Sequence, residues 1–341
     1  MKRISVFVGV IALAALLFGV VRLSESSCPK GGGKCKCQPS SEDEAAYQKY
    51  MSQARKLSAD GKDEDALNAV KKALIIRSPD SSDLALLAKL APKVQGFSAS
   101  GVNKQGYIEY EHKKTGMAFV LIPGGKFMMG RRPGEGGGGP GGNDIDNPPH
   151  EVTVSDFLMS KNEVTQGAWK KITKDNPSFF KTADDYPVEQ VSWKDVQSFL
   201  DKAKDIRLPT EAEWEYACRA NTTTNFYWGD AEDGEYMWYN KSSTGQHKPV
   251  GGKIPNGYGL CDISGNIYEW CQDWYDAKYY YNSPKENPTG PKTGIERVLR
   301  GGSWNTGAYS CRSDVRHKLE PATRTNEIGF RCVSGVGKKN Q

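Results

Sequence analysis

Arg207-Leu-Pro-Thr-Glu-Ala-Glu-Trp-Glu-Tyr-Ala-Cys-Arg219 is the stretch whose reading decides the fold. Pro209 precedes Thr210, an N-cap residue, and Glu213 sits at the reciprocal capping-box position, so a helix begins here. Beyond Asn221 the chain is rich in Gly, Asn, Pro and aromatics and shows few regular periods. Two more helices are expected upstream, from Thr165 to about Thr173 and from Ser192 to about Ala203. The second has Ser192 as cap, Asp195 in its first turn, and Val196, Phe199 and Leu200 on one face. Strands are short: a run from Gly106 to Glu111, two strands around a Pro-Gly-Gly turn between Met117 and Gly130, and a half-buried strand from His150 to Phe157. Such a domain is held by a small sheet, aromatic packing and side-chain-to-backbone bonds instead of long elements.

Working outward, 46 basic residues face 41 acidic ones, a net of +5 spread along the chain. That leaves no basic stripe, so a nucleic-acid partner is excluded. The N-terminus is Met-Lys-Arg followed by an apolar run from Val6 to Val21, the polarity of an export signal. Residues 1–27 read as a signal peptide or an uncleaved signal-anchor, and Cys28, just after Ser26-Ser27, allows a lipidated N-terminus instead. Both readings place the chain in the cell envelope, with the membrane as a partner of the N-terminus. Residues 28–42 form a Gly/Lys/Ser stalk whose Cys35 and Cys37 are too sparse for a zinc motif.

Residues 43–95 read as a tetratricopeptide-like helical hairpin. Ala54, Leu57, Ala66, Val70 and Ala73 follow its small-large spacing, Asp60-Gly61-Lys62 is the turn, and Ser78-Pro79 is the stop. One such unit cannot bury its own face; it acts as a spacer or packs on a neighbour. Arg131 to Asn147 is a Gly-rich surface loop without the Gly-Lys-Ser/Thr of a phosphate loop.

Three phrases besides the opening one occur in order: Gly265-Asn-Ile-Tyr-Glu-Trp-Cys-Gln-Asp-Trp-Tyr275, Leu299-Arg-Gly-Gly-Ser-Trp304, and Gly329-Phe-Arg-Cys332. Asn162-Glu-Val-Thr165 and Val191-Ser-Trp193 precede the opening phrase, and Pro255-Asn-Gly-Tyr-Gly-Leu260 falls between it and Gly265. Together these resemble the formylglycine-generating enzyme, or sulfatase-modifying-factor, family across residues 106–335. The resemblance implies an irregular α+β domain related to the C-type lectin fold. On it, Trp214, Trp270, Trp274 and Trp304 are expected in the aromatic core, with Glu213 and Glu215 as cap and salt-bridge groups.

The resemblance also implies chemistry. The turn at Ser264 to Glu269 corresponds to a calcium site using the carbonyls of Ser264, Gly265 and Ile267 and the carboxylate of Glu269. Cys218 with Cys332 corresponds to a disulfide of the family. The family's oxidases bind copper(I) through two cysteines, a soft metal on soft ligands. Here Ser303 and Cys311 match positions lining that catalytic site, but Thr306 stands where the other sulfur belongs. A hydroxyl cannot form the thiolate pair, which leaves Cys311 as a buried thiol or a disulfide partner of, for example, Cys271. An oxidase would need a second cysteine recruited from Cys261 or Cys271. The iron-dependent sulfoxide-synthase branch is excluded, since none of His112, His150, His247 and His317 has His-x3-His spacing.

The segment after Trp304 resembles the diversified C-terminal segment of surface proteins with this fold. That implies a protein or glycan ligand at a face presenting Asn305, Thr306, Tyr309, Asp314, Arg316 and His317. The expected function is a non-oxidase, membrane-tethered binding or accessory module; the copper oxidase and a retroelement-diversified lectin-like surface protein are the alternatives.

Overall fold

The computed structural model describes residues 40–132 and 147–336. The apolar N-terminal run, Cys28, Cys35, Cys37 and most of the Gly-rich loop lie outside them.

The N-terminal region forms three helices, α1 (Ser41–Ala59), α2 (Asp63–Ile76) and α3 (Ser81–Leu90), where the spacing had indicated two. The expected turn is present, with Gly61 at φ +72°. The Ser78-Pro79 stop ends α2 but also precedes an unread start signal: Asp80 and Asp83 form a reciprocal capping box for α3. Ala54, Ala66, Val70 and Ala73 are fully buried. Their cluster continues through Leu87 and Ala91 into Phe97, Ile108, Tyr110 and Phe119. The helices are therefore not a detached spacer. Their apolar face is covered by the sheet, as a lone pair cannot cover itself.

That sheet begins earlier than residue 106. Strands β1 (Phe97–Val102), β2 (Ile108–His112), β3 (Ala118–Ile122), β6 (Phe157–Ser160) and β11 (Val333–Gly335) run in the order β1-β2-β3-β6-β11, all antiparallel. The Pro123 turn does not make a hairpin. It sends β4 (Gly125–Met129) to pair with β5 (His150–Val154) in a separate two-stranded sheet.

Helices α4 (Gln166–Thr173), α5 (Trp193–Ala203) and α6 (Glu211–Arg219) are capped by Thr165, Ser192 and Thr210; the last two are the caps the sequence indicates, and Thr165 is the helix start it gives. A second sheet, β10-β7-β8-β9, comprises β7 (Tyr268–Trp274), β8 (Arg297–Arg300), β9 (His317–Leu319) and β10 (Ile328–Gly329). Trp214 and Trp270 are fully buried and Trp304 nearly so. Trp274 departs from the expected aromatic core. It is half-buried, with the Arg297 guanidinium 3.5 Å from its ring and 3.9 Å from that of Trp193.

Helix α6 turns its acidic residues inward. Glu213 accepts from Thr210 N at 2.9 Å and pairs with Arg207 at 2.6 Å. Glu215 is fully buried between Arg219 and Arg300, and Glu211 pairs with Arg316 at 2.7 Å. Glu213 and Glu215 are thus cap and ion-pair groups, as read from the sequence, and Glu211 joins them in the network.

Candidate functional site

Strand β8 delivers the chain to Gly301 and Gly302, both with positive φ (95° and 74°). A Cβ on Gly302 would lie 2.6 Å from Cys311 Sγ, so only glycine lets the backbone cross over that thiol. The turn before β7 is equally tight, because a Cβ on Gly265 would meet Trp238 O at 2.2 Å. Gly265 N donates to Gly301 O (2.7 Å) and Trp304 N to Asn266 O (2.8 Å). Two distant phrases of the sequence thus form one unit.

On that unit Ser303 Oγ donates to Glu327 Oε2 at 2.5 Å, and Asn305 Nδ2 donates to Glu327 Oε1 at 3.1 Å. Thr306 Oγ1 accepts from Ser303 N (2.9 Å) and donates to Ser303 O (3.1 Å). Beside them the Tyr268 hydroxyl meets His317 Nε2 at 3.2 Å. Burial pushes the Tyr268 phenol up to about 12. Burial, then the charge of Arg300, lowers His317 to about 4, so it stays neutral near pH 7.

Cys311 is fully buried beneath this unit, with its thiol hydrogen-bonded to Thr306. It packs in an apolar cluster with Phe226, Met237 and Tyr239, and burial pushes its thiol up to about 12. Cys261 and Cys271 do not belong to the apolar cluster of Cys311, and neither is paired with it.

The disulfide implied for Cys218 and Cys332 is not formed: both are buried, free thiols. Cys218 Sγ instead lies 3.4 Å from Ser313 Oγ, on α6, while Cys332 belongs to the other core cluster. Burial raises the Cys218 thiol to about 11.

Glu269 also has partners the sequence did not name. Its carboxylate receives Arg331 Nε at 2.9 and 2.7 Å and Trp214 Nε1 at 2.6 Å. Both oxygens are engaged, so Glu269 does not fit as a free calcium ligand. The unpartnered buried oxygens near this turn are Asp262 Oδ1 and Ser264 Oγ. Glu163, missed as a site residue, accepts from Asn266 Nδ2 (2.8 Å) and Ile267 N (3.2 Å). Burial, with Asp262 and Glu269 nearby, raises its carboxyl well above the usual range. It lies within the Asn162-Glu-Val-Thr165 phrase, which was its only sequence signal.

The expected ligand face is only partly presented. Asn305 is exposed and Thr306, Tyr309 and His317 are half-buried. Asp314 is buried against Arg131 (3.0 Å) and Arg312 (2.9 Å), and the Arg316 side chain is 4% exposed against Glu211, so neither is offered to a ligand. Tyr309 Oη accepts from Arg131 at 2.7 Å. Charged groups flanking a Gly-rich segment read as surface from sequence alone, yet here they neutralise each other in the interior. A cleft of about 450 Å³ among the described residues, lined by Met117, Asn162, Glu163, Thr165 and Lys171 among others, includes no residue of the 301–317 segment.

The chain matches, over residues 104–336, the family described as the sulfatase-modifying factor enzyme 1-like domain. It belongs to that family. Its domain is 39% identical over 166 residues to a formylglycine-generating enzyme of Streptomyces coelicolor, covering 44% of this chain and 52% of the enzyme. It is 32% identical over 249 residues to serine/threonine-protein kinase pkn1 of Chlamydia caviae, covering 64% of this chain and 38% of that protein. The chain thus spans between two fifths and about half the length of these curated relatives. Among solved structures it is similar to Treponema denticola variable protein 1, with 28% identity, a TM-score of 0.57, and coverage of 64% of this chain and 95% of that one. The family assignment and the α+β fold read from the sequence are both supported.

Proposed function

We propose that this family member is an exported, membrane-tethered binding or accessory module without oxidase activity. The observation that carries the reading is Thr306, hydrogen-bonded to Ser303 where an oxidase would need a second thiolate, beside a Cys311 sealed in an apolar cluster. The apolar run at Val6–Val21 supports export and tethering. Incubation with copper and a Cys-x-Pro-x-Arg peptide should yield no formylglycine, and copper(I) titration should show no tight site. Turnover lost in Cys311→Ser would overturn the reading.

Calcium at the Ser264–Ile267 turn belongs to the proposal in altered form. Main-chain oxygens of Ser264, Gly265 and Ile267 with the unpartnered Asp262 Oδ1 would supply the hard donors, and Glu269 would hold Arg331. A melting temperature that is the same with calcium and with chelator removes calcium from it.

A second reading, a diversified surface segment after Trp304, draws on the similarity to the Treponema denticola variable protein. Sequencing the segment across isolates tests it: variation confined to exposed positions such as Asn305, Gly307 and Lys318 would support it.

A further inference from the structure

The polar unit around Ser303 borders a strip of aromatic rings that the sequence reading did not single out. Phe180 packs edge-on against Trp304 with ring centres 5.8 Å apart, and Phe179 packs edge-on against Phe180 at 4.9 Å. Phe180 is fixed from behind, since its N–H donates to Glu189 Oε1 at 2.8 Å and its ring meets that of His247 at 5.3 Å. Phe179 stands out from this base, 65% exposed. An aromatic ring held by a rigid loop offers contact area at little entropy cost.

At the other end of the strip lies Glu327, joined to it through Asn305 and through Trp304 Nε1, which donates to Asn326 O at 3.2 Å. Several acidic side chains have cationic partners: Asp314 pairs with Arg131 and Arg312, Asp195 with Arg324 (2.6 Å) and Asp184 with Lys170. Glu327 differs. Its oxygens accept only the neutral donors Ser303 Oγ and Asn305 Nδ2, and no Lys or Arg among the described residues forms an ion pair with it. An ionised carboxylate has about four acceptor positions, so capacity remains for an incoming donor.

We propose that Glu327 and the Phe179–Phe180–Trp304 strip form a docking site for a basic peptide segment of a partner protein, in which an arginine or lysine meets Glu327 and an adjacent apolar side chain lies on Phe179. The proposal rests on the binding-module reading and names its ligand class. A carboxylate without an ion-pair partner, joined through the buried Trp304 and the half-buried Phe180 to the exposed Phe179 ring, matches a guanidinium that makes charge-assisted bonds to the acid while its neighbour packs on Phe179. A neutral glycan would use the rings and Asn305 but would leave the charge of Glu327 uncompensated.

The test uses the full chain in mild detergent and three probes: acetyl-Gly-Phe-Arg-Phe-amide and its citrulline and glutamate counterparts, titrated by calorimetry. The arginine peptide should bind about tenfold more tightly than the citrulline peptide, the usual scale of one charge-assisted contact, and more tightly still than the glutamate peptide. Glu327→Gln, which keeps one acceptor oxygen for the buried Ser303, should reduce the arginine preference to within about twofold in protein that still melts cooperatively. Phe179→Ala should weaken the arginine and citrulline peptides by a similar factor. Equal binding of all three, an arginine preference that survives Glu327→Gln, or no binding at millimolar peptide would overturn the proposal. A glycan-array signal lost in Asn305→Ala but indifferent to Glu327→Gln would overturn it in favour of a glycan. Those outcomes leave the non-oxidase reading standing, whereas copper-dependent turnover of a cysteine peptide removes that reading itself.

Discussion

Replacing Glu269 with alanine exposes the reasoning about the turn before β7 most directly. Its carboxylate is 1% exposed and Arg331 is fully buried, with Nε contacts to both carboxylate oxygens at 2.9 and 2.7 Å. Truncation leaves the guanidinium hydrogen-bonded only to the carbonyls of Ser160, Lys161 and Cys261, with the Glu163 and Asp262 carboxyls nearby but not bonded to it, and it leaves Trp214 Nε1 without its acceptor. Removing one partner of a buried pair costs about 3–5 kcal/mol, because the remaining charge is not rehydrated. The orphaned indole N–H contributes part of that figure, about 1 kcal/mol or more. For a domain of this size the melting temperature should fall by roughly 5–10 °C. Urea denaturation gives the free energy and calorimetry the temperature, each measured with calcium and with chelator. The expected loss is similar in both buffers, since the partner lost is Arg331. Glu269→Ala/Arg331→Met should recover much of it, because an apolar side chain in place of the stranded charge removes the unpaired group. A loss below about 1 kcal/mol, or one seen only with calcium present, would refute the assignment of Glu269 to Arg331.

Two further outcomes follow from the same structure. His317 is depressed to about 4 from an ordinary 6.5, so on acidification the unfolded chain takes up its proton first. The stability it contributes is complete above pH 6.5 and is lost as pH falls towards 4; the stability difference between wild type and His317→Gln should change across that window, and a constant difference would refute the burial argument. Cys218, Cys261, Cys271, Cys311 and Cys332 are free, so alkylation under denaturing, non-reducing conditions should label all five and reductant should not shift the melting temperature; a Cys218–Cys332 peptide in a non-reducing digest would contradict this.

What the sequence determined by itself was local. The caps at Ser192 and Thr210 and the Glu213 box place two helices, because a cap is satisfied by backbone donors a few residues away. The missed helix after Pro79 carried the same kind of signal in Asp80 and Asp83, hidden behind a proline read only as a stop. The family phrases were likewise legible, since turns such as the one at Gly265 require particular residues on the spot. Only the tertiary structure decided which charges are internal. Asp314, Arg316, Glu269 and Glu163 look like surface or ligand groups in one dimension, and each is neutralised or hydrogen-bonded across the fold. Arg316 reaches Glu211 and Arg331 reaches Glu269, partners 105 and 62 residues away. The strip joining Phe179 to Glu327 is equally non-local. Electrostatic and aromatic complementarity depends on distance in space, which a chain with short elements and long loops does not encode in its spacing.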